Sequence, residues 1–545
     1  MPVEALIPVP VVLPLLAAGL KLAIGRKLVR LQALISVGTL AVVLLVSLLL
    51  LPAADREGPL VAHAGGWGAP IGIALVADRL STLMLAVSSA VTLCVMVYSL
   101  AQSRADQEHR APLSIFHPAY LIMVAGVSDA FLSGDLFNLF VGFEMLLGGS
   151  YVLLTFGGTE ARIRAGATYT VVGLASSLLF LVAIAVAYAA TGTVSMAQLA
   201  ERFSVLPQHI RLLVELTLLL VFVVKAAIFP MSAWLPDSYP TAPAPATALF
   251  AGLLTKVGIY SIIRLEALLF PGGPVSGLLM WAALLTMLIG VFGAVAQTDI
   301  KRMLSFTLVS HIGYMVFGVA LFSVVGMAGA IFYVAHHITV QTSLFLVTGM
   351  IERRTGTTSL NRLGGLAGAA PAIAVLFFVP AMNLAGIPPM SGFLGKLGLI
   401  QAGVADGRPI ALTLVAGGLL TSLLTLYAVA TTWSRAFWGA PVPPSPETTT
   451  KEGSVRENGE GESGAREEPG AAGAGGAGGT GGITGEAVVT AVTMPAPMLA
   501  ATAALVVLAL SYTVLAGPLS ALAERAAGEL LAREPYVSAV LGGGR

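Results

Sequence analysis

The chain has 545 residues, of which 57% are hydrophobic and only 10% are charged. Soluble domains carry about 25% charged residues, so this composition excludes a soluble globular protein and predicts one that lies in a lipid bilayer. The net charge of +1 provides no field that would attract nucleic acid. A single cysteine, Cys94, excludes an internal disulfide and a cysteine-based zinc or iron–sulfur site.

Apolar windows of about 20 residues predict fourteen membrane-spanning helices, so the expected fold class is all-α and polytopic. An even number of spans places both ends of the chain on the same side of the membrane. The predicted spans cover residues 6–24, 31–51, 79–101, 112–131, 136–156, 166–190, 210–229, 242–264, 275–297, 303–323, 326–349, 372–403, 409–437 and 496–517.

The basic residues of the connecting loops orient these spans. Taken alternately, one set of loops holds twelve lysines and arginines, among them Arg26 and Lys301, and the other set holds six. Loops rich in lysine and arginine stay in the cytoplasm. We therefore expect a multi-pass protein of the cell membrane with both termini outside.

Prolines interrupt two of the predicted spans. Pro230 and Pro236 follow the seventh span, and Pro388 and Pro389 lie inside the twelfth. A proline removes a backbone donor, so each of these spans is predicted to be a broken helix whose freed groups face protein or a water-filled cavity. Broken membrane helices with an ionisable residue beside the break mark ion or substrate sites.

The two breaks share a short sequence, since PMSAWL at 230–235 recurs as PMSGFL at 389–394. The copies lie five helices apart, an odd number, so they cross the membrane in opposite directions and predict two inverted five-helix repeats. Two unrelated proline breaks are the alternative. The predicted division is helices 1–3 in residues 1–107, helices 4–8 in 108–270, helices 9–13 in 271–439, a loop in 440–487, and helix 14 with a C-terminal tail in 488–545.

The segment 440–487 is rich in Gly, Pro, Ser and Glu and has almost no large apolar residue. Such a segment cannot bury enough surface to offset its chain entropy, so it is predicted to be a disordered loop, cytoplasmic by the topology above. In residues 518–541, apolar residues recur at helical spacing from Leu519 to Leu530. This pattern predicts an amphipathic helix at a surface or on a partner.

Four of the charged residues inside predicted spans are candidates for a function: Glu144, Lys225, Lys256 and Lys396. A charge at the bilayer centre costs about 2.5–3.5 kcal/mol, so each one needs a role. Glu144 and Lys256 are too far from the ends of their spans to reach water, whereas Lys225 and Lys396 lie near the breaks. The alternatives are a capped or paired carboxylate for Glu144 and a structural role for Lys256. For the other two lysines they are snorkelling to water by Lys225 and a position of Lys396 at an entrance.

Three histidines, His311, His336 and His337, also lie in predicted spans. A neutral histidine hydrogen-bonded inside a helix bundle is the alternative to a functional one. Adjacent helical residues point about 100° apart and no cysteine or second carboxylate lies at ligand spacing, so the pattern does not fit a metal site. No nucleotide, haem or catalytic-triad motif is present, and we expect no metal, no cofactor and no chemistry on an organic substrate.

These buried groups are suited to moving protons. In an interior of low dielectric constant, making or breaking a Glu–Lys contact changes the proton affinity of both groups. A row of lysines and histidines with water between them is then a proton relay. The predicted relay comprises Glu144, Lys225, Lys256, His311, His336, His337 and Lys396.

Three segments carry a family resemblance: KAAIFPMSAWLPDSYPTAPAPATALFAGLLTKVGIYSIIR at 225–264, QTDIKRMLSFTLVSHIGYM at 297–315 and NLAGIPPMSGFLGK at 383–396. They resemble the antiporter-like subunits shared by Mrp-type cation/proton antiporters, respiratory complex I and membrane-bound hydrogenases. Residues 65–81 and 137–158 make the chain most similar to the D-type subunits of the Mrp group.

This resemblance implies functional charges at Glu144, Lys225, Lys256 and Lys396, the same four residues that the cost of burial selects. There is one departure from the family pattern. Many relatives carry a lysine where this chain has Gln341, so His336 or His337 would have to take its part.

Three interpretations follow. The leading one is a proton-translocating subunit that works with other membrane subunits and exchanges protons for sodium or another monovalent cation. The second is the proton-pumping membrane subunit of an NADH:quinone oxidoreductase or membrane-bound hydrogenase, which Lys396 in place of a glutamate disfavours. The third is a non-conducting scaffold, which would gain nothing from four buried charges.

Overall fold

The computed structural model describes residues 3–25, 28–69, 71–105, 113–440 and 494–542. Within these residues, twelve helices are long and apolar enough to cross a membrane. The protein is therefore a predominantly helical membrane protein, which confirms the predicted fold class.

The elements begin and end as follows: α1 Val9–Ile24, α2 Val29–Glu57, β1 Leu60–His63, β2 Ala74–Ala77, α3 Arg79–Ala105, α4 Leu113–Leu132, α5 Leu136–Thr155, α6 Glu160–Thr191, α7 Met196–Val205, α8 Gln208–Ala226, α9 Trp234–Ser238, α10 Ala244–Leu249, α11 Thr255–Arg264, α12 Ser276–Val295, α13 Ile300–Ala320, α14 Val324–Thr355, α15 Leu366–Ala369, α16 Pro371–Ala385, α17 Ser391–Asp406, α18 Pro409–Trp433, α19 Ala496–Val514, α20 Ala516–Ala532 and α21 Glu534–Gly542. Helices α10 and α11 form one rod, Ala244–Leu269, which contains two π-helical turns, Phe250–Leu254 and Leu265–Leu269.

Two predicted spans are not among the twelve. The seventh corresponds to α8, which carries three charged residues in 19, and the twelfth is divided into α16 and α17. Both helices end at the proline breaks, α8 at Ala226 and α16 at Ala385. The total of fourteen crossings stays a prediction.

The same close helix contact occurs twice in the chain. A Cβ added to Gly149 on α5 would lie 2.7 Å from the carbonyl oxygen of Ala119 on α4. A Cβ added to Gly313 on α13 would lie 2.7 Å from the carbonyl oxygen of Ala283 on α12. The second pair lies 164 residues after the first, and only a glycine lets the two backbones approach so closely.

A second feature recurs at the same interval. Asp135 caps the N-terminus of α5 and forms an isolated bridge with Ser195, and Asp299 caps α13 and bridges Ser359. Helices α6 and α14, which precede the two serines, have 32 residues each. These contacts match at one interval, and the division into two inverted five-helix repeats stays a prediction; the two matched parts are called the first and second repeat below.

The C-terminal tail differs from its prediction. Instead of lying at an outer surface or on a partner, α20 packs on the chain itself and buries Ala523, Ala526 and Leu530. Glu529 of α20 forms an ion pair with Arg79 at the start of α3. The spacing predicts the apolar stripe correctly, but it does not show what covers that stripe.

Two further differences concern the region between α2 and α3 and the end of α11. A two-stranded antiparallel sheet, β1 with β2, joins α2 to α3, where the hydropathy pattern predicts no strand. Arg264, the last residue of the predicted eighth span, lies in the last turn of α11 and forms a buried ion pair with Asp78. Pairing with a carboxylate is what makes such a buried guanidinium tolerable.

Candidate functional site

In the first repeat, Lys225 lies in the last turn of α8, just before the chain breaks. Its ammonium donates a hydrogen bond to Ser177 Oγ at 3.3 Å and lies 4.7 Å from the centre of the Phe143 ring. Lys225 is only 8% exposed, so its charge is buried. A single long hydrogen bond and a contact with an aromatic ring stabilise a buried charge only weakly.

Glu144 lies next to Phe143 on α5 and is half-buried. Its Oε1 is buried and has no hydrogen-bond partner among the described residues. No direct ion pair joins it to Lys225 within the described part of the chain, although its charge acts on the lysine. We expect a contact through water between these two side chains instead.

A small cavity lies against Lys225. Its volume is about 30 Å³, and its walls include Phe143, Tyr169, Ser176 and Trp234. A cavity of this size has room for about two water molecules. Water there would give the ammonium group a partner that can also carry a proton.

Lys256 lies on α11, directly after the first π-helical turn, and is fully buried. A π turn leaves a carbonyl outside the regular hydrogen-bond ladder. Lys256 uses such a group, because its ammonium donates to the carbonyl oxygen of Ala251. The lysine is therefore held inside the protein at a local distortion of its own helix.

The three histidines form one buried cluster with Tyr333. His311 and His337 have ring centres 5.2 Å apart, and His311 Nδ1 lies 2.7 Å from the Tyr333 hydroxyl. The ring of Tyr333 lies 5.4 Å from that of His336. Lys256 is near enough for its charge to act on both His311 and His337.

Several ring nitrogens of this cluster have no partner within the described residues. They are Nε2 of His311, Nε2 of His336 and both nitrogens of His337. Buried polar atoms are almost always hydrogen-bonded, to protein or to water. Unsatisfied nitrogens on three neighbouring rings therefore indicate internal water between them.

Lys396 completes the cluster at the second break. Its ammonium donates to the carbonyl oxygens of Leu384 and Ala385 at 3.1 and 3.0 Å, the last carbonyls of α16, and lies 5.1 Å from the centre of the Tyr314 ring. A cation is stabilised at a helix C-terminus. Lys225 lies in the last turn of α8 itself, whereas Lys396 reaches the end of α16 from the helix after the break.

The four prolines lie at the two breaks, and their role as hinges stays a prediction. Pro230 follows the end of α8, Pro236 lies inside the short α9, and Pro388 and Pro389 separate α16 from α17. The side chain of Asn383 bridges the second break, because its Oδ1 accepts a hydrogen bond from the Gly392 amide at 2.8 Å.

The structure thus brings together five of the seven predicted relay residues: Lys256, His311, His336, His337 and Lys396. Glu144 and Lys225 lie apart, in the first repeat. Gln341, the departure from the family pattern, donates to the Leu304 carbonyl at 2.8 Å while its Oε1 has no partner among the described residues.

Two residues of the cluster, Tyr333 and Ser391, were not predicted from the sequence. Tyr333 connects His311 to His336, and Ser391 Oγ lies 3.0 Å from His336 Nδ1. Tyr333 lies three residues before His336 and four before His337, a spacing that places residues on one side of a helix and could have identified it. No local signal identifies Ser391.

Comparison with known proteins gives the family. The family described as NADH:quinone oxidoreductase/Mrp antiporter, TM, matches residues 133–425, more than half of the chain. The D-type subunit of the Na⁺/H⁺ antiporter of Alkalihalophilus pseudofirmus is 41% identical over 437 residues, which cover 80% of this chain and 87% of that protein.

Two solved structures share the fold along nearly the whole chain. A chain of the Mrp complex from Dietzia sp. superposes with a TM-score of 0.85 at 32% identity and covers 99% of this chain and 100% of its own. A chain of respiratory complex I from Thermus thermophilus superposes with a TM-score of 0.73 at 25% identity and covers 96% and 99%. The chain therefore belongs to the NADH:quinone oxidoreductase/Mrp antiporter transmembrane family, and within it to the D-type antiporter subunits.

Proposed function

We propose that this chain is the proton-translocating subunit of a multi-subunit antiporter that exchanges protons for sodium or another monovalent cation. One observation carries the proposal: a buried line of basic side chains runs from Lys256 through the histidine cluster to Lys396. Each member costs free energy in a membrane, so a structural protein would not retain the set.

The geometry suggests how a proton moves along this line. An imidazole accepts a proton at one nitrogen and releases it from the other. His311 is hydrogen-bonded to the Tyr333 hydroxyl, and the ring of Tyr333 packs against that of His336. Water beside the unsatisfied nitrogens would close the remaining gaps. A proton that enters at Lys256 repels a proton on its neighbours, so occupancy passes along the cluster to Lys396.

The first repeat supplies the other part of the proposed path. Glu144 and Lys225 each lack a full counter-charge, and water in the cavity beside Lys225 would connect them. The half-buried position of Glu144 also favours a neighbouring membrane subunit against α5. Other membrane subunits are accordingly part of the proposal, because the name of the Alkalihalophilus relative describes one subunit of an antiporter.

The proposed location is the cell membrane, with both termini outside and residues 440–487 in the cytoplasm. Contacts between loops support the even number of crossings. The α2–α3 connection touches the α4–α5 loop through Leu75 and Ser133, and the C-terminal Arg533 donates to the Ala200 carbonyl of α7. The loops predicted to lie outside are thus neighbours.

A direct test uses everted vesicles that contain this chain with its partner subunits, in cells that lack other sodium/proton exchangers. After respiration has acidified the vesicles, added Na⁺ should collapse the pH gradient, and Lys256→Ala should prevent this. NADH-dependent quinone reduction without cation-dependent proton movement would support the redox pump instead. The identity of 41% to an antiporter subunit against 25% to complex I favours the antiporter.

A further inference from the structure

A second group of buried charges lies outside the proton relay, where α4 meets α5. Asp129 is 4% exposed and Asp135 is 7% exposed. One carboxylate oxygen of each, Oδ2, is buried without a hydrogen-bond partner among the described residues. No lysine or arginine in the described part of the chain pairs with either carboxylate.

Hydrogen bonds hold the two carboxylates close together. The side chain of Asn138 donates to Asp129 Oδ1 at 3.0 Å and to Ser133 Oγ at 2.7 Å, and its backbone amide donates to Asp135 Oδ1 at 2.6 Å. Two negative charges so placed in a low-dielectric interior repel each other strongly. A bound positive charge would remove this repulsion.

Ser195 provides an independent sign of a ligand at the same place. It lies opposite Asp135 in an isolated antiparallel bridge, with Leu136 donating to Val194 and Met196 to Gly134. Directly opposed residues project their side chains to the same face. Ser195 is 5% exposed, and its hydroxyl has no partner within the described residues. The bridge geometry places its side chain on the same face as that of Asp135.

In the second repeat, the aspartate at the equivalent position has hydrogen-bond partners for both carboxylate oxygens. At the interval of 164 residues, Asp135 and Ser195 correspond to Asp299 and Ser359. Asp299 Oδ2 accepts a hydrogen bond from Thr358, whose counterpart in the first repeat is Val194. Capping of a helix therefore explains Asp299 completely and leaves one oxygen of Asp135 unexplained.

The remaining counterparts differ in charge. Gly293 stands where the first repeat has Asp129, and Arg302, which pairs with Asp237, stands where it has Asn138. The first repeat thus has an extra carboxylate and lacks the cationic side chain. A buried charge must be paired or bind an ion.

We propose that Asp129, Asp135 and Ser195 bind the monovalent cation that is exchanged for protons. This inference rests on the proposed function and adds its cation site. Alkali cations prefer carboxylate and hydroxyl oxygens, which are the groups left unsatisfied here. The described residues contain no group of three or more His, Cys, Asp and Glu that could hold a metal ion, so two carboxylates with a hydroxyl suit a single positive charge better than a multivalent metal.

The same pair can hold a proton when the cation leaves, and this competition couples the two ions. The charged groups around the site do not neutralise it. Among the described residues, Tyr536 of α21 is near enough for the charge of Asp135 to act on it, and Arg264, which is near Tyr536, is already paired with Asp78. Either a cation or a proton therefore has to balance the carboxylates.

The test compares D129N, D135N and S195A with D299N in the assembled complex. Asparagine caps a helix as well as aspartate does, so D135N and D299N keep their caps and differ only in the proposed site. We expect D129N and D135N to raise the Na⁺ concentration for half-maximal exchange by at least about tenfold, the equivalent of one lost charged contact. D299N should leave it unchanged.

If D129N does not assemble, S195A still tests whether the proposed cation site exists. The residue it replaces is Ser195. Its hydroxyl has no partner within the described chain, so its removal should spare folding and weaken only Na⁺ dependence and the rise in melting temperature that Na⁺ produces. Normal Na⁺ dependence in S195A and D135N would overturn the site, as would slower exchange at an unchanged half-saturating Na⁺ concentration. A wild-type complex without exchange would instead refute the proposed function.

Discussion

Lys225 and Glu144 each lie in the membrane interior without a complete counter-charge. We expect Lys225→Ala and Glu144→Ala to abolish cation-dependent proton flux while the complex still assembles, because both remove a charged station and neither fills the core with a larger group. Flux in everted vesicles, with assembly followed by co-purification, measures this. Glu160→Ala is the control, since Glu160 is exposed and pairs only with Arg164. Normal exchange in both variants would remove the first repeat from the path.

Lys256 tests whether this position must release its proton. The ammonium can do so, whereas a guanidinium stays charged at every useful pH. We expect Lys256→Ala and Lys256→Arg both to stop transport. Lys301→Arg is the matched control, because Lys301 pairs with Glu352 at 2.7 Å and lies outside the relay. If Lys256→Arg transports at the full rate across the pH range, Lys256 supplies only an electrostatic field.

The broken helix α16–α17 can be tested through its glycine cap. Gly386 has φ of +85°, and a Cβ there would lie 3.2 Å from Lys396 Nζ. Gly407, at the end of α17, has φ of +70° with nothing within 4 Å. Replacing either by alanine should cost about 1–2 kcal/mol of stability from the positive φ. Only Gly386→Ala should also slow exchange, because it displaces the lysine from its carbonyl partners.

Thermal unfolding and proton flux on the same preparations separate the two effects of these glycine variants. Equal losses of exchange in both would show that strain at a helix end slows transport and that the contact with Lys396 does not matter. Undiminished exchange in Gly386→Ala would show that Lys396 does not depend on the end of α16.

Some features of the helices could be predicted from the sequence and others could not. The interruptions of α8 and α16 were predictable because proline lacks an amide hydrogen, a local property. The π-helical turn before Lys256 was not, since no residue type encodes it and packing decides it. The contact between His336 and Ser391 was not predictable either, because the two residues are 55 positions apart in the sequence and meet only when their helices pack.

At the scale of the whole molecule, transfer cost selected the four charged residues of the predicted relay, because a membrane penalises a charge wherever the chain folds. It could not select their partners. Arg264 and Asp78 lie far apart in sequence and meet only after α11 and α3 have packed. The burial of Asp129 and Asp135 close to each other was not predictable for a different reason. Both residues lie near the end of a predicted span, where a charge is ordinarily solvated.

The segment 440–487 is the last feature of the whole molecule, and apart from residue 440 it lies outside the described residues. Its Gly-rich, Glu-rich composition predicts a disordered cytoplasmic linker between α18 and α19. Chain closure entropy grows only logarithmically with length, so a short polar linker in its place should leave exchange unchanged. Full-length and shortened chains are compared in everted vesicles, where the cytoplasmic face is accessible.

Protease added to those vesicles should cut the full-length chain first within 440–487, and the shortened chain provides the control because it lacks the site. Cleavage only from the opposite face, in right-side-out vesicles, would reverse the assigned topology. Loss of exchange on shortening would mean that the segment docks a partner. Retained exchange with cleavage from the cytoplasmic side would place the C-terminus outside, because α19 is then the last crossing before the C-terminal helices α20 and α21 pack on the α3 and α7 side of the protein.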